Sequence, residues 1–415
     1  MEKTSTPTAE SPEVDVAILD GAVVVQMASP GASRTFQEYA DNVFMSYIMK
    51  QLQPVKRVDI IWDVYRQDSL KAATREKRGS GTRRRVTSSS QIPKNWKSFL
   101  RVNENKTELF HFLAKQVESC HVEGKELCTT YEEHVLSSPR RDDMEDCTHE
   151  EADTRIMLHV NVASQCGYRR VMIRTSDTDV VVLAVSKMQD IVVDELWIAF
   201  GTGKHFRYLA IHDIAAQLGP QKAKALPMLH ALTGCDTVSF FSGKGKRTAW
   251  DTWSVFPAVT DVLADLSSVP ESIPNDYMSL IERFVVLLYS RTSTALTVNE
   301  ARQELFSKES RAIENIPPTQ AALLQHTKRA VYQAVHVWGS ALIAKPQIPS
   351  PQEWGWIREG SEWKPVWTVL PQAQESCYEL IHCGCKKGCT GQCKCLKASL
   401  KCTALCNCGG HCQDD

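Results

Sequence analysis

Short apolar runs alternate with stretches of helical spacing along the first 240 or so residues, the order expected of strands joined by helices in an open sheet. The runs are VAILD at 16–20, VDIIWD at 58–63 and VMIRTSDTD at 171–179. VDELWIAF and FRYLAI flank GTGK at 201–204, which a hairpin turn explains. HEEADTRIMLHV at 149–160 carries Ile156, Leu158 and Val160 behind its acids and reads as a helix start, and ALTGCD at 231–236 is helix-like. Residues 275–345 show apolar positions at three and four spacing in YMSLIERFVVLLYS, NEARQELFSK and TQAALLQHTKRAVYQAVHVW, which predicts helices packed on the preceding core. PQIPSPQEWGW, with Trp338, Trp354, Trp356, Trp363 and Trp367 nearby, then marks a linker or small irregular layer over 346–376.

The runs at 16–20, 58–63, 171–179 and 231–236 each stop on an acid, and the helix start at 149–160 opens on acids. Asp20, Asp63, Glu151, Asp153, Asp177, Asp179 and Asp236 follow one another in this way, and strands that deliver acidic side chains to their carboxyl ends build ligand sites in open α/β sheets. The acids converge only if the sheet is parallel. Taken singly, each also fits a helix cap or a solvated turn. The pairs in EEAD and SDTD place carboxylates two apart, where repulsion is costly without cations, and hard cations such as Mg²⁺ prefer oxygen ligands. Two such ions roughly 4 Å apart activate a water and stabilise the leaving oxygen of a phosphodiester.

On these residues the region from about Val14 to Trp253 resembles the flap endonuclease and XPG-type 5′ nucleases, a branch of the PIN-like nucleases. The family's first Asp matches Asp20 in AILDGA, and its second, ahead of a basic helix, matches Asp63 in IIWDVYRQDSLKAATREKR. Its E-A-E-A motif matches EADT (Glu151, Asp153), and its E-D-x-D motif matches SDTD (Asp177, Asp179). Its G-C-D-Y followed by G-I-G-P-K-x-A is met by GCDTVSFFSGKGKRTA, with Gly234, Cys235, Asp236, Gly243, Gly245 and Ala249 in register and Thr237 in place of the Tyr. The resemblance implies a three-layer α/β fold with a central, mostly parallel sheet over 14–260, and the seven acids as catalytic ligands of two Mg²⁺ or Mn²⁺ ions.

The basic residues suit phosphate. Residues 66–86 carry Lys71, Arg75, Lys77 and Arg78 among eight basic side chains against Asp68 and Glu76. They fall in the interval 64–148, where the family carries an arch over a single-stranded flap. DSLKAATREKR and NKTELFHFLAKQVE read as helical and GSGTRRRVTSSSQIP as flexible; a solvated basic helix and linker, or a nuclear-targeting patch, is the plainer reading. Gly243 and Gly245 let backbone N–H groups approach a phosphate at a helix start, with Lys244, Lys246 and Arg247 adding charge. In the family this turn clamps duplex DNA.

Fifteen cysteines are present, ten of them between Cys377 and Cys412. The N-terminus MEKTSTPTAESPEVD has no apolar signal core, so zinc explains the cysteines better than disulfides and secretion is not expected. Nine thiolates, Cys383, Cys385, Cys389, Cys393, Cys395, Cys402, Cys406, Cys408 and Cys412, fill about three tetrahedral Zn²⁺ sites if three sulfurs bridge. The block at 377–415 resembles the tesmin/TSO1-type CXC domain and the pre-SET zinc clusters, with Gln392 where DNA-reading members carry an aromatic residue. Cys377, His382 and His411 are possible substitute ligands.

Length and charge bound this picture. The chain of 415 residues, 43% hydrophobic and with a net charge of −1, allows two or three domains: a disordered 1–13, the α/β domain, a helical extension over 261–345, the linker and the zinc block. Net charge neither requires nor forbids nucleic acid. The expected function is a metal-dependent, structure-selective DNA nuclease acting on branched or flap-like DNA, with RNA as a further possible substrate. Its zinc tail would bind DNA or a protein partner, and its place would be the nucleus or otherwise the cytoplasm, with no membrane. The alternative is a catalytically silent, mobile-element-derived chromatin or DNA-binding protein that works through its tail. The start so close to Asp20 leaves room for an upstream portion.

Overall fold

The computed structural model describes residues 10–66, 68–72, 75, 81–141, 144–268, 272–306, 315–369, 383–385, 389, 393–397, 401–402 and 406–408. Two compact units divide the chain, Met1–Pro365 and Val366–Asp415. No helix among the described residues is long and apolar enough to cross a membrane.

Seven strands form one sheet in the first unit: β1 (Val16–Asp20), β2 (Arg57–Ile61), β3 (Glu126–Tyr131), β4 (His134–Ser138), β5 (Arg170–Thr175), β6 (Glu195–Phe200) and β7 (Arg207–Ala210). Their order is β4-β3-β2-β1-β5-β6-β7. The five inner strands are parallel, and β4 and β7 close the edges antiparallel to β3 and β6. The chain runs outward from β1 to β2 on one side and crosses to β5 on the other, so β1 and β5 bound the switch point where open sheets bind ligands.

The apolar runs lack polar alternation because these strands are buried on both faces. Val16 and Ile18 of β1 join Val171, Ile173, Leu196 and Ile198 in one core, and Ala17 and Leu19 join Val58, Ile60 and Leu127 in the other. Helices α3 (Ala152–Gln165), α4 (Thr178–Lys187) and α5 (Pro220–Leu232) cover the first face. The helical stretch Phe36–Tyr39, Ala40–Met45 and Ser46–Leu52, with α2 (Asn103–Ser119), covers the second. Three layers result, as the sequence predicts. The first core also takes in α6 (Lys246–Val255), α7 (Val259–Leu266), α8 (Asn275–Tyr289) and α9 (Gln320–Val331), so Phe284, Leu323 and Val331 share it with the sheet. The hairpin β8 (Trp356–Glu359) and β9 (Glu362–Pro365) ends this unit.

Two details were hidden in the sequence. The interval 64–148 contains α2, β3 and β4, so much of it is scaffold for the sheet; the remaining stretch around 73–80 lies largely outside the described residues. Arg57 and Asp59 of β2 are fully buried and paired: Arg57 Nε and Nη2 donate to Asp59 Oδ1 and Oδ2, each at 2.7 Å, and His159 Nδ1 donates to Oδ2 at 2.6 Å. Asp59 is penalised by burial, but the Arg57 charge and the His159 hydrogen bond hold its carboxyl well below the usual range.

In the second unit the Sγ atoms of Cys383, Cys395, Cys402 and Cys406 lie within 4.8 Å of one another, as do those of Cys383, Cys389, Cys393 and Cys402. Individual Sγ–Sγ separations run from 3.3 to 3.9 Å, far beyond the ~2.05 Å of a disulfide. They match the ~3.8 Å edge of a tetrahedron with Zn–S bonds of ~2.3 Å. Cys383 and Cys402 belong to both groups, which is the sharing that bridging thiolates require. Cys385 and Cys408 pack against the same cluster; Cys377, His382, His411 and Cys412 lie outside the described residues.

Candidate metal centre

The acids meet at the carboxyl ends of the inner strands because each sits at a strand-to-helix junction. Asp20 ends β1 and caps α1 (Gly21–Met27), its Oδ1 accepting from Val23 N at 3.1 Å. A Cβ on Gly21 would lie 2.2 Å from Trp62 Cε3, so glycine alone fits directly after Asp20. Asp63 follows β2 and its Oδ1 accepts from Ala152 N, the first residue of α3, at 2.9 Å. Asp177 follows β5 and caps α4, accepting from Asp179 N at 2.8 Å. Three helix starts therefore point their positive ends at one place, each satisfied by an acid of the set. The capping and site readings of these acids hold together.

Asp236 arrives by a different route. Helix α5 ends at Leu232, Gly234 turns at φ +107°, and Cys235 N bonds Val238 O at 2.9 Å. A Cβ on Gly234 would meet Phe240 Cβ at 2.8 Å, so both the backbone conformation and the space demand glycine. The result is one cavity of about 380 Å³ lined by Asp20, Asp63, Glu151, Asp153, Asp177 and Asp236. Asp179 joins through a group in which one carboxylate oxygen each from Asp153, Asp177 and Asp179 lie within 4.8 Å of one another.

Electrostatics shows what the cluster lacks. Burial, with Asp63 close by, pushes Asp20 up to about 7. Burial and Asp177 raise Asp153 well above the usual range, and burial with Asp179 raises Asp177. Asp179 is also penalised by burial, yet His230 Nε2, 2.9 Å from Oδ1, holds its carboxyl below the ordinary value. Lys71 Nζ lies 2.7 Å from Glu151 Oε1 and 3.5 Å from Asp236 Oδ2, and these acids hold its ammonium charged despite burial. Glu151 Oε2 is buried with no partner among the described residues. An orphaned oxygen, crowded carboxylates and an all-oxygen donor set fit hard divalent cations.

A pH consequence follows. The stability gained by protonating Asp20 in the metal-free protein is fully present below its ordinary value of 3.8 and is lost as pH rises through about 7. Divalent metal should therefore displace protons near neutrality. Calorimetric titration with Mg²⁺ at pH 6.5, repeated in buffers of different ionisation enthalpy, should show release of roughly one to two protons per chain, shrinking above pH 8. Buffer-independent heats would contradict the raised carboxyls.

Some basic residues are placed in ways the sequence did not show. Lys71 points into the acids. Arg75 is buried, pairing with Glu150, donating to Ser69 Oγ at 2.9 Å and lying 5.3 Å over the Tyr65 ring. Lys246 Nζ ties down the end of α5, donating to Thr233 Oγ1 at 3.0 Å, Gly234 O at 2.5 Å and His230 O. Lys244 lies 5.2 Å over the Tyr289 ring, while Arg247, Gly243 and Gly245 are exposed at the start of α6. Lys77 and Arg78 lie outside the described residues. His230, Tyr65, which donates to Asp63 Oδ2 at 3.1 Å, and Thr175, which donates to Asp20 Oδ2 at 3.1 Å, carried no sequence signal as site residues.

Fold and site together define an α/β protein with a cluster of carboxylates at the switch point of a mostly parallel sheet, a donor set that could hold metal. Among solved structures, the chain is similar to the catalytic core of Rad2 in complex with DNA substrate, at 13% identity over 84% of each chain and a TM-score of 0.38. It is also similar to T5 5′-exonuclease with bound zinc, at 15% identity over 77% of this chain and 99% of that one, TM-score 0.37. A third is a bacteriophage T5 flap endonuclease in a pseudo-enzyme–product complex with DNA and metal ions, at 12% identity over 79% and 96%, TM-score 0.35. No family model and no curated protein matches the chain.

Proposed function

We propose that the chain is a metal-dependent, structure-selective nuclease that hydrolyses phosphodiester bonds in DNA. The observation that carries this reading is the convergence of Asp20, Asp63, Glu151, Asp153, Asp177 and Asp236 on one cavity, with Asp179 beside them. A scaffold has no need of so many crowded acids, since each buried like charge is destabilising.

Asp153, Asp177 and Asp179 would hold one Mg²⁺ or Mn²⁺, with Asp236 nearby, and Asp20, Asp63 and Glu151 the other. When bound, the ions lower the pKa of water and neutralise charge on the scissile phosphate. The protein's own groups do the rest. His230 orients Asp179, and Tyr65 and Ala152 N fix the two oxygens of Asp63. The Lys71 ammonium offsets acid charge until phosphate enters, and is placed to contact it then. Exposed Arg247 and the turn at Gly243 and Gly245 offer a contact to duplex backbone.

Incubation of the purified chain with flap, bubble, hairpin and linear duplex DNA in Mg²⁺ or Mn²⁺ tests the reading. Cleavage of branched DNA in preference to linear duplex supports it, and no cleavage of any substrate in either metal sinks it. The tail is proposed as a CXC-type cluster that binds DNA or a partner. Metal analysis of the full chain should find about three zinc ions, and chelation should expose about three titratable thiols for each zinc released. A count near zero would remove the cluster.

A further inference from the structure

Lys246 opens α6, between Gly245 and Arg247 of the turn offered to a duplex backbone. Its ammonium turns back to the end of α5, where it donates to Thr233 Oγ1 at 3.0 Å, to Gly234 O at 2.5 Å and to His230 O. An ammonium has three N–H groups, so three oxygens use all of them and leave none for a phosphate. The Thr233 hydroxyl gives its own hydrogen to Leu229 O at 2.7 Å, which leaves its lone pairs to accept. Burial pushes the ammonium down to about 8 although the residue as a whole is exposed, the mark of a head group drawn off the surface.

The groups it holds lead to the acids by two routes. His230, whose carbonyl it binds, has its ring Nε2 2.9 Å from Asp179 Oδ1. Gly234, whose carbonyl it also binds, stands two residues before Asp236 in a left-handed turn with φ +107°, followed by the bond from Cys235 N to Val238 O at 2.9 Å. Lys246 follows Gly234 by 12 residues, so its bonds close the loop that carries Asp236. Its own backbone is anchored too, because Ala249 and Trp253 of α6 are buried in the first core. One side chain thus joins the turn to the acids.

We propose that Lys246 is a positioning residue that touches no DNA and couples the duplex-contact turn to the acids, holding Asp236 and Asp179 in register with a backbone gripped at Gly243, Gly245 and Arg247. The sequence groups Lys246 with Lys244 and Arg247 as charge for phosphate; the geometry separates it from Arg247, which is exposed at the same helix start. Register matters because a misplacement of ~1 Å at a reacting centre costs ~100-fold in rate. This inference rests on the nuclease reading of the acids.

Lys246→Met and Arg247→Met, each in the full chain at pH 7, separate a brace from a phosphate contact. Duplex binding over a series of salt concentrations should lose about one unit of log–log slope in Arg247→Met and none in Lys246→Met. Hydrogen–deuterium exchange without DNA should quicken at least ~10-fold over 233–238 in Lys246→Met, while α4 keeps native protection and shows that the variant is folded. Single-turnover cleavage at saturating DNA and Mg²⁺ should fall ~10- to 100-fold in Lys246→Met with the Kd for DNA unchanged. Unchanged exchange over 233–238, a salt slope reduced by one, or cleavage by Lys246→Met at the native rate overturns the coupling. Faster exchange over 233–238 with a native salt slope, in a chain that cuts no substrate, would support the brace and sink the nuclease reading.

Discussion

Asp177→Asn combined with Asp179→Asn is expected to lower the rate of DNA cleavage by ~10³-fold or more while leaving the protein folded. Both residues share an ion-sized space with Asp153, and a catalytic metal is worth several kcal/mol of charge stabilisation, at about 1.4 kcal/mol per tenfold in rate. Asn keeps the shape of each side chain and its oxygen, so the Asp177 cap on α4 survives in weakened form. Folding should not suffer, because burial and mutual repulsion already penalise Asp177 in the metal-free protein. The native protein should gain thermal stability on addition of Mg²⁺, by ~2.7 kcal/mol at a hundredfold excess over Kd, and the double variant should gain little. Single-turnover cleavage and thermal melting with and without metal check both halves; a variant that cuts as fast as the native chain would remove these acids from catalysis.

The largest stability effect should come from a residue outside that cavity. Asp59→Asn is expected to destabilise the first unit by about 3–5 kcal/mol, because it leaves the fully buried Arg57 guanidinium without its carboxylate and a single amide oxygen where Arg57 and His159 bond to two. Replacing both partners, with Arg57→Met and Asp59→Leu, should cost less, since no buried charge is left unpaired and only the His159 ring N–H loses its acceptor. The stability Asp59 contributes is present above its ordinary value of 3.8 and is lost only as pH falls through its lower native value. Urea denaturation of the three proteins at pH 7, followed by a pH series on the native chain, measures these terms. Equal loss in the single and double variants would contradict the pairing.

Asp59 also shows where sequence reading reaches its limit. Asp20, Asp63, Asp177 and Asp236 stood out because an apolar run stops at each, and a parallel sheet brings strand ends together. Asp59 sits inside such a run, and its partner His159 is 100 residues away, so spacing carries no trace of the pair. His230 and Asp179 are 51 residues apart and equally silent. Lys71, Arg75 and Lys246 were legible as charge, but the direction of a long basic side chain depends on neighbours that only the fold supplies: Glu151, Glu150 and the end of α5. Strands β3 and β4 were missed because ELCTTY and HVLSS are short and mixed in character: inner β3 buries the polar Thr129 and Thr130, and β4 is an edge strand that needs no continuous apolar run. The cysteine cluster was legible because its members lie close in sequence as well as in space, as eight of the described cysteines do.

Acids that hold a pair of divalent ions would bring those ions close enough to couple magnetically. Electron paramagnetic resonance of the zinc-loaded chain titrated with Mn²⁺ tests it most directly, since two manganese ions about 4 Å apart are spin-coupled and lose the spectrum of isolated ions. Two Mn²⁺ per chain with a coupled signal are expected, lost on Asp177→Asn with Asp179→Asn. Uncoupled Mn²⁺, or binding unchanged by that double substitution, would contradict it.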